Sequence, residues 1–98
     1  QNRLEFVEEA AAMDSAEDLQ AAIAANPQDL ESRYALAIVQ MVAGETELAL
    51  QICLDILRED REFRDDIGRL TMIRIFDVLG KGNEMATKYR RKLFNALH

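Results

Sequence analysis

The sequence has few of the residues on which catalysis, disulfide bonding or metal binding usually depend. Its 98 residues include one cysteine, one histidine, one proline and no tryptophan. A single cysteine cannot form a disulfide within the chain, and the single histidine, His98, can form neither a metal site nor a catalytic dyad. We therefore predict no disulfide, no metal site, no cofactor and no enzymatic activity.

Long apolar runs and a leader sequence are also missing. No stretch approaches the roughly 18 apolar residues that a membrane-spanning helix needs, and no secretory signal is visible. We therefore expect no membrane partner. The chain begins with Gln1 rather than methionine, so we expect it to be a fragment of a longer protein.

Charge is unevenly distributed along the chain. Residues 1–80 carry 17 acidic and 7 basic side chains, whereas residues 81–98 carry 1 acidic and 5 basic ones. The acidic part would repel phosphate groups, so nucleic acid is not expected as a partner. The basic part can either dock a partner or complement the C-terminal end of a helix and keep the chain soluble.

The residues that the chain does contain are typical of an all-α domain. Alanine, leucine, isoleucine, methionine, glutamate and arginine dominate, and hydrophobic residues make up 49% of the sequence, which suffices for a single domain over residues 1–98. The spacing of the apolar residues predicts six helices. They cover about residues 2–12, 16–25, 28–42, 46–59, 66–79 and 84–97.

Polar residues and the proline mark the ends of these helices. Ser15 and Asn83 can cap the second and sixth helices with their side-chain oxygens. Asp65 or Asp66 can cap the fifth. Pro27 fits the first turn of the third helix, where no backbone N–H is needed.

Residues 26–60 resemble one tetratricopeptide repeat. The family's spacing of a leucine and a small residue, then a glycine, then an alanine is matched by Leu36-Ala37, Gly44 and Ala49, and Pro27 matches the proline that ends a preceding repeat. The resemblance implies antiparallel helix pairs in a right-handed superhelical array whose surfaces dock other proteins. The sequence departs from the family pattern at Arg33, Gln40 and Arg61.

Residues 57–93, which end in Tyr89-Arg90-Arg91-Lys92-Leu93, are the most characteristic part of a second resemblance, which covers nearly all of the chain. The chain is similar to the C-terminal region of bacterial thioredoxin-fold co-chaperones, the chaperedoxin family. This resemblance implies a cytoplasmic role in protein folding, in which the domain binds unfolded clients and general chaperones such as the Hsp60-type chaperonin. It also implies an upstream thioredoxin domain, to which any part in cell redox homeostasis would belong.

The first candidate surface for such partners is a groove. In tetratricopeptide repeats the first helix of each pair lines the concave face, which places Tyr34, Ile38, Met41 and Val42 in or near it. An apolar face that contains methionine adapts to varied partners. The groove is either open, or covered by the first two helices or by the preceding domain.

The second candidate surface is the last helix. Lys88, Arg91 and Lys92 present positive charge, and Phe94 lies off the apolar stripe, where it can be an exposed anchor. The resemblance makes this helix a chaperonin-docking element, unless Phe94 folds into the core or against a neighbouring molecule. We predict a non-catalytic protein-interaction domain. The alternative is a structural module that forms a homodimer or packs on its upstream domain.

The only thiol is expected to be structural. Cys53 shares a helical stripe with Ile52 and Ile56, which favours burial. No basic neighbour in the sequence would lower its pKa. We therefore predict an inert core thiol, with redox sensing as the alternative.

Overall fold

The computed structural model describes residues 2–98, with side chains from Leu4 onwards. Six α-helices joined by short turns make up this part of the chain, which confirms the predicted all-α fold. The observed helix ends lie within two residues of the predicted ones. The helices are α1 (Asn2–Ala11), α2 (Ala16–Ala25), α3 (Leu30–Val42), α4 (Thr46–Glu59), α5 (Ile67–Leu79) and α6 (Glu84–Leu97). None of them combines the length and the apolar character that crossing a bilayer requires.

Two of the predicted caps are present. The Ser15 hydroxyl accepts a hydrogen bond from the backbone N–H of Asp18 at the start of α2, at 3.2 Å. The Asn83 side chain accepts one from the backbone N–H of Ala86 at the start of α6, at 3.0 Å. Each cap satisfies a backbone donor that has no partner within its helix.

At the starts of α3 and α5 the predicted roles of Pro27 and of the Asp66 side chain are wrong, although each helix begins within two residues of its predicted start. Pro27 lies in the turn before α3 rather than in its first turn. Asp29 begins the helix instead, because its carboxylate accepts hydrogen bonds from the backbone N–H and the hydroxyl of Ser32, and these bonds lower the pKa of Asp29. Asp66 stands before α5, but its side chain bonds Arg69 and does not cap the helix.

Helices α3 and α4 form the centre of the fold. Of the helix pairs described, they make the most extensive contact, and the short turn between them makes the pair antiparallel. Ala37 and Ala49 are buried, and their small side chains let the two backbones approach. Gly44, in the turn, has a φ of 90°, which glycine adopts without strain.

The core extends from α4 to α5 and α6, both of which contact α4. Gly68 on α5 lies so close to α4 that an added Cβ would be 3.0 Å from the carbonyl oxygen of Cys53. A side chain at this position would therefore push α4 and α5 apart by a few tenths of an ångström, which glycine avoids. The largest side chains enclosed in the core are those of Phe6, Ile38, Met41, Leu50, Leu54, Ile56, Met72, Ile75 and Tyr89.

The first two helices take different positions. Helix α2 packs on α3, whereas α1 makes its main contacts with α3 and α5. Since α3 and α5 are the first helices of the pairs α3–α4 and α5–α6, α1 lies along the groove between them. Phe6 on α1 is completely buried there.

Candidate protein-binding surfaces

The predicted groove is covered by the chain itself. Tyr34, Ile38 and Met41 are buried and share one apolar cluster with Phe6 of α1. Val42, at the end of α3, is 36% exposed. The groove is therefore not open, because the first helix covers it. Of the four residues predicted to line it, Tyr34, Ile38 and Met41 are enclosed and only Val42 is exposed.

A polar network joins α1 to both walls of the groove. The two carboxylate oxygens of Glu9 accept hydrogen bonds from different helices, one from the Tyr34 hydroxyl at 2.9 Å and the other from the Arg74 guanidinium at 2.7 Å. The Arg74 guanidinium also lies 4.2 Å from the centre of the Phe6 ring and 3.7 Å from the Glu5 carboxylate. Aromatic and charged contacts thus meet at one arginine.

The network shifts the pKa values of its members. Burial and the hydrogen bond to Glu9 raise the pKa of Tyr34 to about 12. Burial acts to lower the pKa of Arg74, but the hydrogen bond and the charge of Glu9 outweigh it and raise that pKa. Both groups therefore keep their protons and act as fixed donors to the Glu9 carboxylate.

The basic residues of α6 divide into engaged and free groups. The Lys88 ammonium donates a hydrogen bond to the Glu47 carboxylate at 2.7 Å, and the Tyr89 hydroxyl donates to the same carboxylate. The Lys92 ammonium lies 5.0 Å from the centre of the Tyr89 ring. Arg91 is exposed. The charge most available to a partner is therefore that of Arg91, with Lys92 beside it.

Phe94 is an exposed aromatic residue and does not fold into the core. Its side chain is 61% exposed and its ring centre lies 4.5 Å from that of His98. It stands at the edge of an open, mainly apolar cleft of about 390 Å³ between α5 and α6. We call this surface the α5–α6 cleft; it is lined by Ile73, Phe76, Asp77, Arg90, Leu93, Phe94 and Leu97.

The floor and rim of the α5–α6 cleft differ in polarity. Phe76 and Leu93 are buried, whereas Ile73 is exposed and continues the apolar surface outwards. The Arg90 guanidinium lies over the Phe76 ring, 5.0 Å from its centre. The cleft is therefore an apolar depression with a cation at its edge.

A third depression lies between α2, α3 and α4. It has a volume of about 620 Å³ and a mixed lining of Ile23, Arg33, Leu36, Ile52, Asp55, Arg58 and Glu59. The Arg33 guanidinium is 4.0 Å from the Glu59 carboxylate. The lining of this depression mixes charged and apolar side chains, whereas that of the α5–α6 cleft is mainly apolar.

The thiol is buried as predicted. Cys53 has no exposed surface, and burial raises its pKa to about 12. The thiolate, which is the reactive form, is therefore strongly disfavoured in the folded protein. Within residues 2–98, no three histidine, cysteine, aspartate or glutamate side chains come together as a metal site would require.

Sequence reasoning missed the residue that organises the groove. Arg74 lies between Ile73 and Ile75 in α5. A charged residue between two apolar ones was the sequence feature that could have indicated a specific polar contact. The partner of Arg74, Glu9, is 65 residues away in the sequence, so no local pattern pairs the two.

The comparisons with known proteins agree with a helical array. The model of the tetratricopeptide repeat family matches residues 9–98. No curated protein and no solved structure shows a significant match to the chain. The matched region begins near the end of α1, so it contains helices α2 to α6 and leaves most of α1 outside.

Proposed function

Because the chain belongs to the tetratricopeptide repeat family, whose members generally mediate protein–protein interaction, we propose that it is the partner-binding domain of a thioredoxin-fold co-chaperone. It binds unfolded clients and general chaperones, and its contact with an Hsp60-type chaperonin runs through the α5–α6 cleft and the exposed face of α6. It performs no catalysis of its own.

The observation that carries this proposal is the exposure of Phe94 beside an apolar cleft. Contiguous exposed apolar surface often marks an interaction site, and aromatic residues are frequent anchors at interfaces. Phe94 stands at the rim of the α5–α6 cleft, and the partly exposed Ile73 extends the same surface. A partner's apolar side chains can bury both residues together.

The charge on α6 supports the choice of partner. Arg91 is exposed on the same helix as Phe94, and Lys92 is partly exposed, so a partner with acidic groups beside its apolar contact would be attracted. Electrostatic attraction of this kind acts mainly on the association rate and on specificity. The resemblance of residues 57–93 to the co-chaperone family supports a chaperonin as that partner.

The proposal is tested by the binding of the chain to a purified Hsp60-type chaperonin, measured by biolayer interferometry. We expect the double variant Arg91→Glu and Lys92→Glu to bind at least ten-fold more weakly at low ionic strength, and the difference to narrow as salt is added. Phe94→Ala should weaken binding at every salt concentration, because it removes apolar contact area.

A matched control reverses two charges elsewhere. Arg58→Glu with Arg61→Glu changes the net charge equally at the end of α4 and in the following turn, and should leave binding unchanged. Equal affinities for all of these chains would contradict the proposed contact. A concentration-independent dimer in light scattering, with the α5–α6 cleft buried between copies, would favour the self-association module instead.

A further inference from the structure

Helix α1 makes a contact that the rest of the array does not predict. In a stacked array of helix pairs each element contacts its immediate neighbours. Helix α1 contacts α3 and also α5, which belongs to the next pair along. It therefore bridges two successive pairs from the groove side, as a bound ligand would.

The attachment of α1 depends on few side chains. Phe6 is fully buried, but the apolar side chains on either side of it are exposed, Leu4 by 57% and Val7 by 44%. Ala10 is partly buried against the same apolar cluster. The main polar contact of α1 is Glu9, which bonds Tyr34 and Arg74, and Glu5 lies 3.7 Å from Arg74. An isolated helix of ten residues is only marginally stable in water. The contacts with α3 and α5 therefore stabilise α1 as a helix.

The groove between α3 and α5 favours a particular combination of side chains in the helix that it binds. In the apolar part the Phe6 ring is completely buried, within a cluster that also contains Tyr34, Ile38 and Met41. The polar part supplies two donors from two helices, which reach both oxygens of one carboxylate. Arg74 is mostly buried, at 25% exposure, so removal of the Glu9 carboxylate would leave this cation with only the more distant Glu5 carboxylate, at 3.7 Å, as a partner. The groove therefore favours an aromatic residue followed three positions later by an acidic one.

We propose that the groove between α3 and α5 is a binding site for a helical segment of another protein that presents an aromatic side chain and, three residues later, a carboxylate, and that α1 occupies this site as a tethered competitor. The family match begins at residue 9, so most of the competitor lies outside the matched array. This site is separate from the α5–α6 cleft and does not depend on the function proposed for it.

Tethering explains why the competitor can be effective with so few contacts. A segment joined to its site by a short connection acts at a local concentration in the millimolar range. A free helix at micromolar concentration therefore displaces α1 only when it binds the groove much more tightly. Weakening of α1 should expose the groove to a ligand that the wild-type chain resists.

The test is a titration with a fluorescein-labelled peptide that has the sequence of residues 2–13, measured by fluorescence anisotropy. We expect the Phe6→Ala chain to bind this peptide at least ten-fold more tightly than the wild-type chain does. The same peptide with Phe6→Ala or Glu9→Gln should bind at least ten-fold more weakly. Leu4→Ala in the chain is the matched control, because Leu4 is exposed, and this chain should behave as wild type.

The walls of the groove are tested in the opened chain. Arg74→Gln added to Phe6→Ala should remove most of the gain in affinity, whereas Arg61→Gln, at an exposed arginine in the turn before α5, should not. Far-UV circular dichroism verifies that each variant remains helical. Absence of any gain in a folded Phe6→Ala chain would overturn the proposal.

A measurement on the wild-type chain needs no variant. Unlabelled peptide at concentrations above the millimolar local concentration of the tethered helix should speed amide hydrogen exchange in α1 while α3 and α5 stay protected. Unchanged exchange in α1 at saturating peptide would overturn the proposal and make α1 a permanent core helix. A wild-type dimer with exchanged α1 helices, detected by light scattering, would assign the groove to a second copy and would also overturn it.

Discussion

The two candidate surfaces of this domain differ in how their side chains are satisfied. In the α3–α5 groove the apolar wall is covered by Phe6, and the cation Arg74 is paired with Glu9. At the α5–α6 cleft the aromatic Phe94 remains in water, and Arg91 is exposed. The groove is thus covered by a helix of the same chain, whereas the cleft remains exposed. The same repeat architecture has one candidate surface covered and one accessible.

The difference lies in the helices that flank each site. The groove is bounded by α3 and α5, and the chain possesses a further helix, α1, that fits between them. In the described chain the outer face of α6 has no corresponding helix packed on it. Under the proposed function, a partner covers this face of α6 as α1 covers the groove.

The largest expected effect concerns the core shared by both surfaces. Cys53 is fully buried behind them, so a thiol reagent should reach it only when the chain unfolds. We expect labelling by Ellman's reagent to be roughly a thousand-fold slower than for a free thiol, given usual folding equilibria. A labelling rate between that of a free thiol and that limited by global unfolding would show that Cys53 becomes accessible through local opening at one of the two surfaces.

The next effect compares the two phenylalanines. Phe6→Ala removes a buried ring and should lower the free energy of unfolding by about 3 kcal/mol, as measured by urea denaturation. Phe94→Ala removes an exposed ring and should change it by less than about 0.5 kcal/mol. Equal losses would remove the distinction between a filled and an unfilled surface.

A smaller effect compares two arginines. Arg74→Gln leaves Glu9 without its charged partner and should cost about 1–2 kcal/mol, since the pair is partly exposed to water and its hydrogen bonds are correspondingly screened. Arg91→Gln should be near neutral, because Arg91 is exposed. Urea denaturation of the two variants, measured side by side, provides the check. If Arg74→Gln leaves the free energy of unfolding unchanged, the Glu9–Arg74 network contributes little to stability.

The smallest effect is a pH dependence of stability that arises where Glu47 of α4 contacts Lys88 and Tyr89 of α6. Hydrogen bonds from Lys88 and Tyr89 hold the pKa of the Glu47 carboxyl below its ordinary value of 4.5. A carboxyl whose pKa is lowered by folding stabilises the protein above its unfolded pKa, and this stabilisation is lost as the pH falls through the folded pKa. The stability difference between wild type and Glu47→Gln should therefore shrink below pH 4.5.

Urea midpoints measured for both chains across this range provide the check. The other carboxylates titrate in both chains, so the difference between the chains isolates Glu47. A difference that stays constant in acid would mean that the Lys88 contact does not hold Glu47 ionised.

The helices were accessible from sequence because their signals are local. Apolar spacing placed all six to within two residues at each end, and Ser15 and Asn83 cap as expected. Pro27 misled because Asp29, two residues later, competes as a cap and bonds Ser32 through both carboxylate oxygens. Apolar spacing and capping residues thus predict the helices, but the exact residue at which a helix begins is harder to predict where several candidate residues lie close together.

The state of each candidate site was less accessible. Tyr34 and Ile38 lie on the predicted face of α3, but what covers them is Phe6, on a helix whose docking position follows from tertiary packing. The Glu9–Arg74 pair joins residues 65 positions apart, and single-sequence periodicity carries no such information. For Phe94, its place off the apolar stripe of α6 did indicate exposure.

Native-state hydrogen exchange at increasing denaturant measures whether α1 behaves as a bound segment or as part of the core. We expect the amides of α1 to exchange through an opening that costs less free energy than global unfolding, while those of α3 and α4 remain protected. Exchange of α1 and α4 through the same global unfolding event at every denaturant concentration would contradict this expectation.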